Sequence, residues 1–176
     1  MPPVKQRTTQ PITHTFADDG RIPNNVLPLV LYRSAIDLTG SPDPEELIEK
    51  TFTDNGWGGL WRNGIYPYVH YHSMIHEAMG VARGHAKVRF GGDNGRTIDV
   101  ASGDVVVLPA GIGHQCLTQS PDLVVIGAYP PNGKYNLCRG TKAEHAKAIV
   151  SIRKVARPAV DPVFGPNGPL TILWPA

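Results

Sequence analysis

The sequence predicts an all-β protein of about ten short strands, with one or two helices at its edges. Glycine contributes 19 residues and proline 17, together about a fifth of the 176, and both residue types end strands and form turns. Short apolar runs, and stretches in which apolar and polar residues alternate, lie between these turn signals, as expected for strands. Only two stretches carry the start signals of a helix.

Local patterns define the expected elements. Strands are predicted over residues 12–16, 27–32, 66–72, 86–90, 97–100, 105–108 and 123–128, and from His114 onwards. A helix over about 43–53 begins at Ser41 or Asp43, either of which can cap it, and has acidic residues in its first turn. A second helix over 141–150 begins at Thr141, and a glutamate three residues later completes a capping box.

Composition excludes several classes of protein. A chain of 176 residues with 41% hydrophobic residues can bury a core as one domain. The net charge of +2 is too small to indicate a nucleic-acid or membrane partner. Two cysteines are too few for a disulfide framework, and the first residues lack the apolar segment of a secretion signal. We therefore expect a soluble, cytoplasmic protein.

Two histidines, His70 and His72, stand two residues apart in a predicted strand. Side chains two apart point to the same face, so their Cα atoms would lie about 7 Å apart and both imidazoles could reach one metal ion. Glu77 follows five residues after His72. It could complete the set of two histidines and one carboxylate that open-sided non-haem metal sites use.

A further candidate ligand, His114, comes after a predicted turn. The apolar run of residues 105–108 is followed by the turn signal Pro-Ala-Gly and then by His114. A hairpin at this turn could bring His114 back against the first two histidines. Five of the 7 histidines lie between residues 70 and 114, and this clustering by itself indicates a metal or acid–base site.

The spacing of these residues resembles the first motif of the cupin superfamily. That motif has a glycine, five residues, His-x-His, three or four residues, a glutamate, six residues and a glycine. Every spacing is met here, by Gly64, His70, His72, Glu77 and Gly84.

The second cupin motif is present with one departure. It has a glycine, five residues, Pro-x-Gly, two residues, a histidine, three residues and an asparagine. Gly103, Pro109, Gly111 and His114 fit it, whereas Thr118 stands at the asparagine position. The departure is mild, because that asparagine is not a metal ligand in the family.

The whole chain also resembles a group of uncharacterised bacterial single-domain cupins, the YjlB type. The stretches that carry this resemblance are D-G-R-I-P-N-N at 19–25, N-G-W at 55–57, W-R-N-G at 61–64 and H-Y-H-S-M-I-H-E at 70–77. The resemblance implies one cupin domain over 1–176. It would have N-terminal strands and a helix in 1–59, a core in 60–130 with both motifs, and a C-terminal helix and tail in 131–176.

The fold implied by this resemblance is a double-stranded β-helix, the jelly-roll cupin barrel, with one or two peripheral helices. The N-terminal strands would extend one sheet, and the edge of that sheet is a natural surface for a homodimer.

The resemblance further implies a divalent metal ion, one of Fe, Mn, Ni, Co, Cu or Zn, held by His70, His72, Glu77 and His114. A metal-dependent enzyme of the dioxygenase or isomerase type, acting on a small polar organic molecule, is the leading hypothesis. The alternative is a non-catalytic cupin that binds or senses a small molecule. A cupin-type nucleotide-sugar epimerase is disfavoured, because such enzymes use a His–Asp base instead of a metal.

Four further residues have two interpretations each. His76 would point to the opposite side of an extended strand from Glu77, so it could join the ligands only at a bulge. Tyr68 could fill the mouth of the cavity or hydrogen-bond a substrate, and with His76 it is a candidate catalytic residue. Cys116 could be a small core residue or a reactive thiol. Trp61 could cap the core or stack on a substrate.

Overall fold

The structure, a computed structural model, describes residues 9–175, which form nine strands and three helices. In chain order the elements are β1 (Ile12–Phe16), β2 (Asn25–Tyr32), α1 (Pro44–Asp54), β3 (Gly58–Asn63), β4 (Glu77–Arg83), β5 (His85–Phe90), β6 (Arg96–Ala101), β7 (Val105–Leu108), β8 (His114–Gln119), β9 (Val124–Tyr129), α2 (Lys142–Ile152) and α3 (Pro169–Leu173). Strands dominate and all helices are peripheral, which confirms the predicted all-β class.

The strands form two antiparallel sheets. The larger sheet has the order β1-β2-β7-β4-β9-β3, and the smaller has the order β6-β5-β8. Neighbours in the larger sheet are mostly far apart in sequence, which is the arrangement of a double-stranded β-helix rather than of a simple meander. This crossing of the chain brings β4 between β7 and β9, so the segment that contains Glu77 lies in the middle of the larger sheet.

The predicted strand over residues 66–72 is reduced to isolated pairs. His70 pairs with His114, and Tyr71 pairs with Cys138. Pro67 lacks a backbone N–H, and the chain bends at residues 67 and 68, so a continuous ladder cannot form there. The expected double-stranded β-helix is therefore confirmed, with the difference that the two sheets are not closed into a barrel.

The main core lies between the inner faces of the two sheets. The larger sheet contributes Leu29, Leu31, Met79, Val81, Val106 and Val125, and the smaller sheet contributes Ala86, Val88, Phe90, Ile98, Val100 and Cys116. All of these side chains are buried. Cys116 thus takes the role of a small core residue, as the simpler of its two interpretations expected.

A second apolar cluster covers the outer face of the larger sheet. Helix α1 packs there with Ile48 and Phe52. Gly80 of β4 makes this possible, because a Cβ atom at that position would lie 2.6 Å from Cγ2 of Ile48. Asp43 caps the helix by accepting a hydrogen bond from the backbone N–H of Glu46 at 2.9 Å, as predicted. The central strands β4, β7 and β9 of the larger sheet are therefore buried on both faces.

The C-terminal tail also packs on this outer face, where helix α3 was not predicted. Its five residues are too short to show a helical period in the sequence. The carboxylate of Asp161 is fully buried and accepts hydrogen bonds from the backbone N–H groups of Val163, Phe164 and Leu170. The Tyr32 hydroxyl of β2 donates to the same carboxylate at 2.5 Å, which fastens the tail to the sheet.

Two expectations about the whole molecule stay predictions. The one-domain division of the chain is untested, and so is the homodimer. Strand β1 forms one edge of the larger sheet and pairs only with β2 within the described residues. None of the helices between residues 9 and 175 is long and apolar enough to cross a membrane.

Replacing Asp161 with alanine is expected to destabilise the fold by about 3 kcal/mol or more, because it leaves several buried donors without an acceptor. Tyr32→Phe removes one of the same hydrogen bonds and should cost about 1 kcal/mol. Urea unfolding of both variants beside the parent protein measures the two effects. A loss below about 1 kcal/mol for Asp161→Ala would contradict the assignment of this carboxylate as the anchor of the tail.

Candidate metal centre

A cavity of about 330 Å³ opens at one end of the space between the two sheets. Its wall combines three histidines and a carboxylate with several aromatic side chains. The lining residues are Trp61, Arg62, Asn63, Gly64, Ile65, Tyr66, His70, His72, Glu77, Met79, His114, Tyr129 and Tyr135. All four residues that the sequence predicts as metal ligands face this cavity.

The three histidines converge on one point. Their ring nitrogens can be chosen so that all lie within 4.8 Å of one another, and all three residues are buried. His114 begins β8, and the backbone pair that it forms with His70 brings their ring centroids to 4.0 Å. The ring of His72 lies 5.9 Å from each of the other two. Three buried imidazoles in this arrangement could hold a metal ion.

Each of these rings is oriented by a backbone carbonyl. Nδ1 of His70 lies 3.1 Å from the Tyr68 carbonyl, and Nδ1 of His114 lies 3.1 Å from the Ile112 carbonyl. Nδ1 of His72 lies 2.5 Å from the Asn136 carbonyl. A carbonyl can only accept, so each Nδ1 carries a hydrogen, and in a neutral ring Nε2 then keeps its lone pair. Metal-binding histidines are commonly oriented in this way.

Glu77 lies against the histidines at the start of β4. One of its carboxylate oxygens, Oε2, is 3.3 Å from Nε2 of His72 and 3.5 Å from Nε2 of His114. Neither contact has the geometry of a hydrogen bond, and within the described part of the chain this buried oxygen has no hydrogen-bond partner. Two acceptors at this separation repel each other unless a proton on the imidazole or a metal ion lies between them.

The pKa values of the four groups reflect this crowding. Burial, together with the neighbouring His70, lowers the pKa of His114 to about 3. Burial also lowers the pKa of His70. For His72 burial acts to lower the pKa, but the charge and polar contact of Glu77 together with the Asn136 carbonyl raise it. Burial acts to raise the pKa of Glu77, but the histidines, led by His72, bring it down to about 2.

The donor set fits a divalent metal ion. Three imidazole nitrogens and one carboxylate oxygen suit Fe, Mn, Ni, Co, Cu or Zn, and do not distinguish among them. A metal ion would also satisfy the otherwise unpaired oxygen of Glu77, which is costly to bury alone.

The two candidate catalytic residues from the sequence do not line this cavity. The ring of Tyr68 stacks on Tyr66 at 4.8 Å and lies beneath the Arg139 guanidinium at 3.6 Å. His76 is buried on the other side of the chain from Glu77, as strand alternation predicts, and its ring lies 4.9 Å from Trp174. Its Nδ1 accepts a hydrogen bond from the Ala110 N–H at 2.9 Å, so it fixes the turn that precedes His114.

Three residues near the histidines were missed at the level of sequence. Tyr129 ends β9 and lines the cavity, and Tyr135 follows in the next segment with its ring 5.0 Å from His72. Asn136 supplies the carbonyl for His72, and its side chain binds the backbone N–H and the hydroxyl of Ser73 at 3.0 and 2.9 Å. The sequence signal for these residues is a cluster of aromatic residues just after a buried strand. That signal does not reveal that this strand, β9, lies next to β4 and its Glu77.

Comparison with known proteins identifies a close relative. The chain is 43% identical over 170 residues to the uncharacterized protein YjlB of Bacillus subtilis (strain 168), and the match covers 96% of this chain and 98% of that protein. No model of a known protein family matches the sequence.

Solved structures with distant similarity to this chain include the following three. A DUF861 family protein of Thermotoga maritima is 17% identical, with 56% of this chain and 96% of that chain covered and a TM-score of 0.37. A double-stranded β-helix protein of Klebsiella pneumoniae is 15% identical, with 80% and 92% covered and a TM-score of 0.38. Acireductone dioxygenase of Bacillus anthracis is 15% identical, with 70% and 80% covered and a TM-score of 0.39. On the strength of the near full-length match to YjlB, this chain belongs to the YjlB family, and its two facing sheets give it the double-stranded β-helix fold of cupins.

Proposed function

We propose that the protein is a metal-dependent cupin enzyme acting on a small polar organic molecule, by dioxygenase or isomerase chemistry. His70, His72, His114 and Glu77 would hold the metal ion. The observation that carries this proposal is the set of facing acceptors: Nε2 of His72 and of His114 approach one buried carboxylate oxygen within 3.3 and 3.5 Å. Because the other nitrogen of each ring faces a carbonyl, a metal ion would bind all of these acceptors at once, whereas a proton on His72 would satisfy only its contact with Glu77.

A bound metal ion would supply Lewis acidity toward a carbonyl or enediolate, or activation of dioxygen. The protein's own residues would orient the metal ligands and exclude water. Carbonyl groups hold the imidazoles in one orientation, and the buried position of Glu77 keeps its charge from being screened by water. The surrounding aromatic wall would exclude water from the reacting molecule.

The cavity supports a small polar molecule as the ligand. A volume of about 330 Å³ lies at the lower end of the range of ligand pockets. Arg62 at its rim is already paired with Glu49, through contacts of 2.5 and 2.8 Å. Recognition would therefore depend on the metal ion, on the tyrosines and on main-chain groups more than on a free arginine.

One observation favours the alternative, a cupin that binds or senses a small molecule without turnover. Neither His76 nor Tyr68 lines the cavity, so the acid–base residues suggested by the sequence do not reach a ligand there. The same metal site would then serve only for binding.

Elemental analysis of protein purified without an affinity tag is expected to give about one divalent metal ion per chain. The double variant His70→Ala/His72→Ala should lose it, because two of four ligands are absent. His85→Ala is the matched control, since His85 is exposed on β5 and lies outside the cavity, and this variant should keep the metal. A protein that takes up no metal even after reloading would overturn the proposal.

Catalysis is tested separately from metal binding. The metal-loaded protein is mixed with a panel of small hydroxy acids, oxo acids and enediols while dioxygen uptake is followed by electrode and isomerisation by NMR. Turnover that disappears in the double histidine variant is expected for the enzyme. Tight ligand binding by calorimetry without any turnover across the panel would favour the binding protein instead.

Replacing Asn136 with alanine is expected to weaken metal binding about tenfold, because the segment that orients His72 loses its attachment to Ser73. Competition with a chromogenic chelator measures the affinity. Asn55→Ala provides the control: the Asn55 side chain also makes several hydrogen bonds, to the carbonyls of Thr51, Pro162 and Val163, but does not line the cavity. Equal affinities of the two variants would contradict a positioning role for Asn136.

A further inference from the structure

One tyrosine in the cavity wall has a hydroxyl oxygen that already accepts a hydrogen bond from a neighbouring side chain. Tyr129 ends β9 and lines the cavity, and its hydroxyl oxygen accepts a hydrogen bond from the indole N–H of Trp61 at 3.0 Å. Trp61 lies on the neighbouring strand β3, in register with Gly127. The pair therefore joins the last two strands of the larger sheet at the cavity wall.

Gly127 is the residue that allows this pair to form. A Cβ atom at position 127 would lie 1.8 Å from Cε2 of Trp61, so the indole rests directly on the backbone of β9. Gly59 leaves room for the ring of Tyr129, since a Cβ atom there would lie 3.1 Å from Cδ2 of Tyr129. The absence of side chains at positions 59 and 127 thus allows the rings of Tyr129 and Trp61 to pack against the backbone.

The tyrosine ring is also fixed relative to the histidines. It meets the ring of His72 edge-on, with centroids 6.1 Å apart and an interplanar angle of 89°. Tyr135 packs against it at 5.7 Å. A rigid ring of this kind places its hydroxyl at a defined position beside the metal ligands, which preorganises a hydrogen bond at little entropic cost.

The direction of the hydroxyl proton follows from these contacts. The Trp61 N–H occupies one lone pair of the oxygen, so the proton must point elsewhere. The hydroxyl lies in the wall of the same cavity as His70, His72 and His114. A ligand bound beside these histidines could therefore accept the proton.

We propose that Tyr129 donates a hydrogen bond from its hydroxyl to an anionic acceptor atom of the ligand bound beside His70, His72 and His114. The preferred ligands are small anions of the carboxylate or enolate type. This inference rests on the proposed metal site. Trp61 acts as a positioning residue, because it reaches the ligand only through Tyr129.

The test uses protein loaded with Co²⁺, whose visible absorption reports a bound anion, and azide as the probe. Tyr129→Phe is expected to raise the dissociation constant of azide about tenfold, the effect of one hydrogen bond to an anion. Trp61→Phe keeps the hydroxyl but frees it to turn, and a smaller rise of about threefold is expected. Both variants should retain the cobalt content of the parent protein.

Tyr71→Phe is the matched control, because Tyr71 is buried outside the cavity and loses the same single hydroxyl. Its azide affinity should stay within about twofold of the parent protein. Equal azide affinities in the Tyr129→Phe variant and the parent protein would overturn the role of Tyr129 and leave the metal site intact. Failure of the parent protein to bind cobalt would overturn the metal site, and this inference with it.

Discussion

The site depends on one electrostatic constraint: acceptor atoms face one another in a space that water cannot screen. A carboxylate oxygen of Glu77 lies within 3.5 Å of two imidazole nitrogens whose ring partners are bound to carbonyl groups. Burying such a group without a partner costs free energy, and a proton on His72 or a metal ion among the four side chains would remove that cost. The lowered pKa of His114 shows that a proton on that ring is disfavoured by burial.

The fold tolerates this cost because the central strands of its larger sheet are buried on both faces. The main core holds the inner face, and α1 and the C-terminal tail cover the outer face. The carbonyl groups that orient the histidines come from three separate segments, at Tyr68, Ile112 and Asn136. Each ring is therefore fixed by backbone that is itself anchored elsewhere, and this keeps the ligand geometry independent of flexible side chains.

Small residues shape the molecule where large ones must approach the backbone. Gly80 lets α1 lie against β4, and Gly127 lets Trp61 lie against β9. The first approach closes the outer core, and the second builds the aromatic wall of the cavity. In both cases the missing side chain on a strand sets the position of a neighbouring element, which is a packing constraint and not a question of backbone conformation.

By itself the sequence determined the strand-rich class and the first helix, because these follow from periodicity within a few residues. The four candidate ligands came from the spacing of residues that resemble the two cupin motifs. The sequence also placed His76 on the opposite side of the chain from Glu77. The separate sheets, helix α3 and the cavity wall were decided only by the tertiary structure. Tyr129 meets Trp61 across 68 residues, and Asn136 meets His72 across 64. Such contacts depend on which strands become neighbours, and local sequence patterns carry no information about that order.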